Sequence, residues 1–146
     1  SNLKRMQTQL PAHYNFFPLS YCLPYERNKL YLECDHKTKK SKNGVWIVKP
    51  ESLSEGRGIF LASRLDELPI NEGFVVQQYV SRPYLIENLK FDLRIYVLIT
   101  SVSPLRIFIY EEGIARFATE SYTSPERSNF QKLNQHLTNY AINRKA

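Results

Sequence analysis

Lys90-Phe91-Asp92-Leu93-Arg94-Ile95-Tyr96-Val97-Leu98-Ile99-Thr100 opens by alternating charged and apolar residues, the pattern of a β-strand with two unlike faces. Lys90, Asp92 and Arg94 share one face, while Phe91, Leu93, Ile95, Val97 and Ile99 share the other and are expected to enter a core. A cation, an anion and a second cation at alternate positions form an array that can face a ligand. A solvated strand face laced by cross-strand ion pairs is the ordinary reading of the same pattern.

Upstream, Gly44-Val45-Trp46-Ile47-Val48-Lys49-Pro50 runs into Glu51-Ser52-Leu53-Ser54-Glu55-Gly56-Arg57-Gly58-Ile59-Phe60-Leu61, which reads as strand, loop, strand. Lys49 at the strand exit faces a loop loosened by Gly56 and Gly58. Loop N–H groups can approach phosphate oxygens where no side chain intervenes, and an ammonium supplies a compact countercharge. Neither a P-loop nor a G-x-G-x-x-G turn is present, and an ordinary hairpin with an exposed lysine remains open. Phe74-Val75-Val76-Gln77-Gln78-Tyr79-Val80 is an apolar strand ending in amides and an aromatic ring. Its exit can offer hydrogen bonds and a flat surface to a purine, or simply bury Tyr79. Glu112 to Thr119 reads as a turn and a strand carrying Arg116, and His136-Leu137-Thr138-Asn139-Tyr140 places an imidazole, a hydroxyl and an amide close together. Singly, Arg116 reads as a surface cation and His136 as a structural histidine.

Taken in this order, with Phe17-Pro18, Leu23-Pro24 and Pro83 added, these segments closely resemble the tubulin tyrosine ligase-like family from about Tyr14 onward. Pro83-Tyr84-Leu85-Ile86 through Val97, with Pro104-Leu105-Arg106-Ile107, looks most like its polyglutamylase branch. The resemblance implies an α+β, ATP-grasp-like fold with antiparallel sheets flanked by short helices, incomplete at the C-terminal end. It also implies ligation of free L-glutamate to glutamates of tubulin, using ATP, through an acyl phosphate. Lys49 then matches a phosphate-contacting lysine, with Gly56 and Gly58 in the covering loop. Gln77, Gln78, Tyr79 and Val80 match the adenine hinge, and Lys90 and Asp92 the strand that meets ribose and phosphates. Arg94, Arg116, His136, Thr138 and Asn139 match residues around the incoming amino acid and the acyl-phosphate site.

One departure bears on activity. Family members hold Mg²⁺ with carboxylates and an asparagine near the end of the catalytic core, yet the last acidic residue here is Glu126. The metal ligands are therefore expected beyond Ala146, and the chain reads as a piece of a longer ligase, inactive alone. A noncatalytic microtubule-associated relative is the alternative, as is a sibling ligase adding glycine or tyrosine.

At 146 residues the chain is long enough to bury ~70% of its unfolded surface. An apolar content of 42% argues for packing over disorder. The expected organisation is a joining segment over 1–43, a nucleotide-binding lobe over 44–88, and the first part of a C-terminal lobe over 89–146. A helix is expected over about 26–35, another over 63–68 ended by Pro69, and three antiparallel strands between 90 and 119. Cys22 and Cys34 lack metal-ligand spacing and read as reduced thiols. No apolar run approaches the ~20 residues of a membrane span. The net charge of +6, with Lys37, Lys39, Lys40 and Lys42 beside His36, suits an acidic partner such as tubulin tails on microtubules, although a solvated connector explains the lysine run equally well. No motif for nucleic acid is present. The expected setting is cytoplasm and cytoskeleton, including cilium or basal body.

Overall fold

The computed structural model describes residues 2–35, 39–41 and 44–144, which fall into two compact units, Ser1–Ser81 and Arg82–Ala146. The architecture is the expected mixture of antiparallel sheets and short helices.

In the first unit a helix α1 (Asn2–Gln9) precedes β1 (Ser20–Leu23) and α2 (Arg27–Leu32). The strands β2 (Trp46–Pro50), β3 (Phe60–Ala62) and β4 (Phe74–Gln78) follow. They form one antiparallel sheet in the order β1-β4-β2-β3, so β1, from the segment expected to join an upstream domain, hydrogen-bonds to β4. Period-two alternation decides its faces. Trp46, Val48, Val76, Tyr21, Leu23 and Ala62 point into a core closed by Leu30 of α2 and Leu68. Each large side chain so buried contributes roughly 1.5–3 kcal/mol. Ile47, Lys49, Val75, Gln77 and Ser20 occupy the opposite face, because each lies one position from a core residue. The helix expected over 26–35 is shorter, Arg27–Leu32. That over 63–68 is a single 3₁₀ turn, Leu65–Glu67, since Pro69 leaves no room for a second turn. Of the basic loop, Lys39 and Lys40 are described, whereas His36, Lys37 and Lys42 lie outside the described residues.

In the second unit β5 (Leu85–Ile86), β6 (Leu89–Arg94) and β9 (Ile114–Phe117) form one sheet in the order β5-β6-β9. A two-residue turn joins β5 to β6, with Glu87 at φ 51 and Asn88 at φ 63, both in the left-handed region such tight hairpins require. The strands β7 (Val97–Val102) and β8 (Leu105–Ile109) form a separate hairpin. Two short helices, α3 (Leu133–His136) and α4 (Tyr140–Asn143), complete the unit.

Two expectations need correction. The stretch from Lys90 to Thr100 is not one strand, and four strands, not three, lie between 89 and 117. The run changes partner at Ile95. Arg94 pairs with Ile114, yet the Tyr96 carbonyl accepts the Tyr110 amide at 3.0 Å, so Ile95 alone is spanned by Glu111, Glu112 and Gly113. That mismatch ends one ladder and starts another. Gly113 makes the crossing possible: a Cβ there would lie 2.5 Å from the Arg94 carbonyl oxygen. The apolar face, which also reads as longer than the rest of the chain can cover, is largely left bare. Phe91 does stack on Phe117 at 5.6 Å between ring centroids, but Leu93, Ile95, Val97 and Ile99 are more than half exposed. On the hairpin, Leu98, Phe108 and Ile109 are equally open, so among the described residues nothing covers either of its faces.

Candidate functional site

The first unit presents a polar relay set in an apolar sheet face. Ser20 and Ile47 flank Gln77 across β1 and β2, and Lys49 stands one pleat further along β2. The Lys49 ammonium donates to Gln77 Oε1 at 2.8 Å, and Gln77 Nε2 donates to Ser20 Oγ at 2.8 Å. Ile47 and Leu61 beside them are buried, and burial pushes Lys49 below the usual lysine value. A partly desolvated cation of this kind interacts more strongly with an anion than one in open water.

The neighbouring loop is built from two turns, with Arg57 N–H on the Ser54 carbonyl at 3.1 Å and Ile59 N–H on that of Gly56 at 3.3 Å. Glycine is required at 58, where φ is +69° and a Cβ would sit 2.9 Å from Pro50 Cγ. At the exit of β4, the Gln78 amide donates to the Leu19 carbonyl at 2.7 Å and the Tyr79 amide to Val45 at 2.9 Å. Tyr79 is buried and Val80 exposed, so the ring is part of the packing and not an open platform for a base.

The second unit gathers its polar groups around Asp92. Arg116 is directly opposite on β9 and donates from Nε to Asp92 Oδ1 at 2.7 Å. Thr138, in the segment between α3 and α4, donates its hydroxyl to the other carboxylate oxygen. Both charged side chains are about one-third exposed, at 36% and 35%, so the pair adds at most ~1 kcal/mol to stability. Its consequence is geometric: one carboxylate locks a strand-borne cation and a loop-borne hydroxyl in fixed relation. A cleft of about 550 Å³ opens along the outer edge of β9, lined by Arg116, Phe117, Thr119, Thr138, Tyr140 and Asn143 among others. A guanidinium has five N–H donors, so Arg116 can hold Asp92 and still address a ligand in the cleft. Arg94 shares the Asp92 face, is exposed, and has no ion pair among the described residues.

Lys90 donates to the His136 carbonyl at 2.8 Å, where a cation suits the C-terminal end of α3. The His136 ring is fully buried, with Nε2 3.2 Å from Asn129 Oδ1 and an edge-on contact to Tyr122 at 5.9 Å. Burial holds it below the usual histidine value and the nearby Lys90 charge acts the same way, against an Asn129 hydrogen bond that raises it. The ring does not line the cleft. Asn139 contributes its carbonyl, which accepts Asn143 Nδ2 at 3.0 Å.

Sequence reasoning passed over Asn143, which organises this corner. It is 8% exposed. Its Nδ2 also donates to the Leu137 carbonyl at 2.9 Å, while Oδ1 accepts both the amide and the hydroxyl of Thr119 at 2.9 Å. The end of β9 is thereby tied to the segment that carries Thr138. The one available signal was an asparagine four residues after Asn139, a spacing at which a short polar side chain reaches the carbonyl one helical turn back.

Among the described residues no three His, Cys, Asp or Glu side chains gather as metal ligands, and Asp92 already has one partner on each oxygen. These residues do not fit a magnesium centre. No helix of the described residues is long and apolar enough to cross a membrane.

The chain is α+β, with a cation-bearing sheet face in one unit and an Arg–Asp–Thr cluster at a cleft in the other. It belongs to the Tubulin-tyrosine ligase family, which it matches over residues 1–146. Among its relatives are a probable beta-tubulin polyglutamylase of Tetrahymena thermophila, 47% identical over 143 residues, and the tubulin polyglutamylases TTLL13 and TTLL6 of Mus musculus, 48% and 44% identical. Each alignment covers 98% of this chain but only 12% of the Tetrahymena protein and 17% of each mouse protein, so the chain spans less than a fifth of these relatives.

Proposed function

We propose that the protein carrying this chain is an ATP-dependent ligase that adds glutamate to glutamate residues of tubulin. The observation that carries the reading is Asp92 held between Arg116 and Thr138 at the edge of the cleft. In the reaction, a substrate carboxylate oxygen attacks the γ-phosphorus of ATP, ADP leaves, and an acyl phosphate forms. The amine of the incoming glutamate then attacks the acyl carbon and loses a proton, phosphate departs, and the amide bond remains. Both steps place negative charge on phosphoryl oxygens, which fixed cations stabilise. Arg116, oriented by Asp92, and the exposed Arg94 supply such charge in the second unit. In the first unit, Lys49 and the Gly56 to Gly58 loop are the proposed contacts of the nucleotide's phosphates, and the Gln78 to Val80 exit is the proposed contact of its base.

The relatives named as tubulin polyglutamylases favour glutamate as the donor and tubulin as the acceptor. A net charge of +6 suits attraction of acidic tubulin tails on microtubules, and the cytoskeleton, including that of cilia, is the proposed place of action. The test is incorporation of labelled glutamate, glycine or tyrosine into tubulin by the complete protein with ATP. Glutamate alone should be incorporated, and Asp92→Asn should abolish it. Incorporation of another amino acid would refute the donor assignment, and unchanged turnover in Asp92→Asn would refute the site.

A further inference from the structure

An ammonium can only donate, so the part of Gln77 that lies 2.8 Å from Lys49 Nζ has to be the amide oxygen. The amide nitrogen then faces the opposite way, towards Ser20 Oγ at 2.8 Å. Ser20 Oγ is 2.9 Å from the Pro18 carbonyl. A carbonyl only accepts, so the serine hydrogen goes there and the oxygen lone pairs are left for Gln77. Every orientation in this row is forced by its neighbour, starting from a backbone carbonyl and ending at a cation. The strand register makes the row possible: Ser20 is paired directly with Gln77, and Lys49 is on the same face of β2.

We propose that Ser20 is a positioning residue for nucleotide phosphates, fixing the Gln77 amide so that its oxygen holds Lys49 in place. This rests on the reading of Lys49 as a phosphate contact. An ammonium has three N–H donors, and Gln77 takes one. Holding that donor sets the direction of the others. Without the Ser20 hydroxyl the Gln77 amide loses one of the two contacts that fix its orientation, and the flexible ammonium is left as the other. Turned over, it would present N–H groups to the ammonium and displace it. Ser20 itself touches no ligand in this scheme.

The test measures ATP and adenosine affinity of the complete protein by calorimetry in four forms: wild type, Ser20→Ala, Ser20→Thr and Lys49→Ala. Ser20→Ala should weaken ATP binding roughly five- to tenfold, the worth of one hydrogen bond, and leave adenosine binding unchanged, because only the phosphate contact is disturbed. Ser20→Thr keeps the hydroxyl and should restore ATP affinity. Unchanged ATP affinity in Ser20→Ala would overturn the proposal, as would equal weakening of ATP and adenosine, which marks a general loss of structure. Lys49→Ala separates the two levels of inference. If it weakens ATP binding while Ser20→Ala does not, only the role of Ser20 falls. If Lys49→Ala leaves ATP affinity intact, the phosphate reading of Lys49 falls and the role of Ser20 falls with it.

Discussion

Replacing Asn143 with alanine should loosen the cleft wall without touching a charged group. Four hydrogen bonds are lost, two donated to the Leu137 and Asn139 carbonyls and two accepted from Thr119. They are not equal. The bond to Leu137 is buried, so its carbonyl is left without that donor at a cost of ~1–3 kcal/mol. The other three are partly exposed and water replaces them, which leaves a few tenths to ~1 kcal/mol in all. The sum spans ~1–4 kcal/mol and centres on about 2–3 kcal/mol. Because it acts on the contact between the end of β9 and the Leu137–Asn139 segment, it should appear as local opening before global unfolding. Hydrogen exchange of the complete protein, followed over residues 117–120 and 137–144, should accelerate roughly 30- to 150-fold. Asn143→Asp retains acceptors for Thr119 but sets carboxylate oxygens against two carbonyls, so it should exchange at least as fast as the alanine variant. Rates within about twofold of wild type in both variants would show that Asn143 holds nothing together, and the account of this corner would be wrong.

Three further outcomes follow from the same geometry. Gly113→Ala should destabilise the second unit by ~1–3 kcal/mol in urea titration, because its Cβ would be driven against the Arg94 carbonyl oxygen at 2.5 Å; a neutral result would mean that the two backbone segments separate there at no cost. Arg94→Ala should lower ligation by orders of magnitude while the melting temperature stays within a few degrees, since an exposed cation adds little to the core; the reverse pattern would make Arg94 structural. Burial holds His136 below its ordinary value of 6.5, so the unfolded chain binds more protons over the interval between the folded value and 6.5. Stability should therefore fall as pH drops through that window and level off above it. His136→Gln should flatten this slope in denaturation curves taken at about pH 7.5 and 5.5, and an unchanged slope would assign it to other groups.

The alternation of Lys90, Asp92 and Arg94 was legible because period two is a local property, whereas the placing of Arg116 opposite Asp92 depends on strand register and was not. Three of the four strands of the first sheet were also legible, since β-formers bounded by Pro50, Gly56 and Pro69 mark them, whereas β1, inside a Pro-punctuated stretch, was not. The change of partner at Ile95 was not. Ile95-Tyr96-Val97 continues an extended pattern without interruption, and the cause lies in the extra residues Glu111 to Gly113 on the other side. A strand cannot report in its own sequence how many residues its partner spends. His136 misled for a related reason: imidazole chemistry is visible in a sequence, but whether the ring faces a cleft or Asn129 is settled by packing. Ser20 and Asn143 carried no motif at all, because their roles come from partners 57 and 24 positions away.

The mismatch at Ile95 also bears on how such chains diversify. Asp92 takes its register from β9 alone, while the hairpin of β7 and β8 keeps its own, with an irregularity between Ile99 and Ser101 that stays within the hairpin. An insertion or deletion near the turn at Ser103 and Pro104 would reset pairings down to Tyr96 and stop there. Descendants of one ancestral gene can therefore remodel the hairpin's length and surface, and with them whatever it meets, while the carboxylate that orients Arg116 stays where it was inherited.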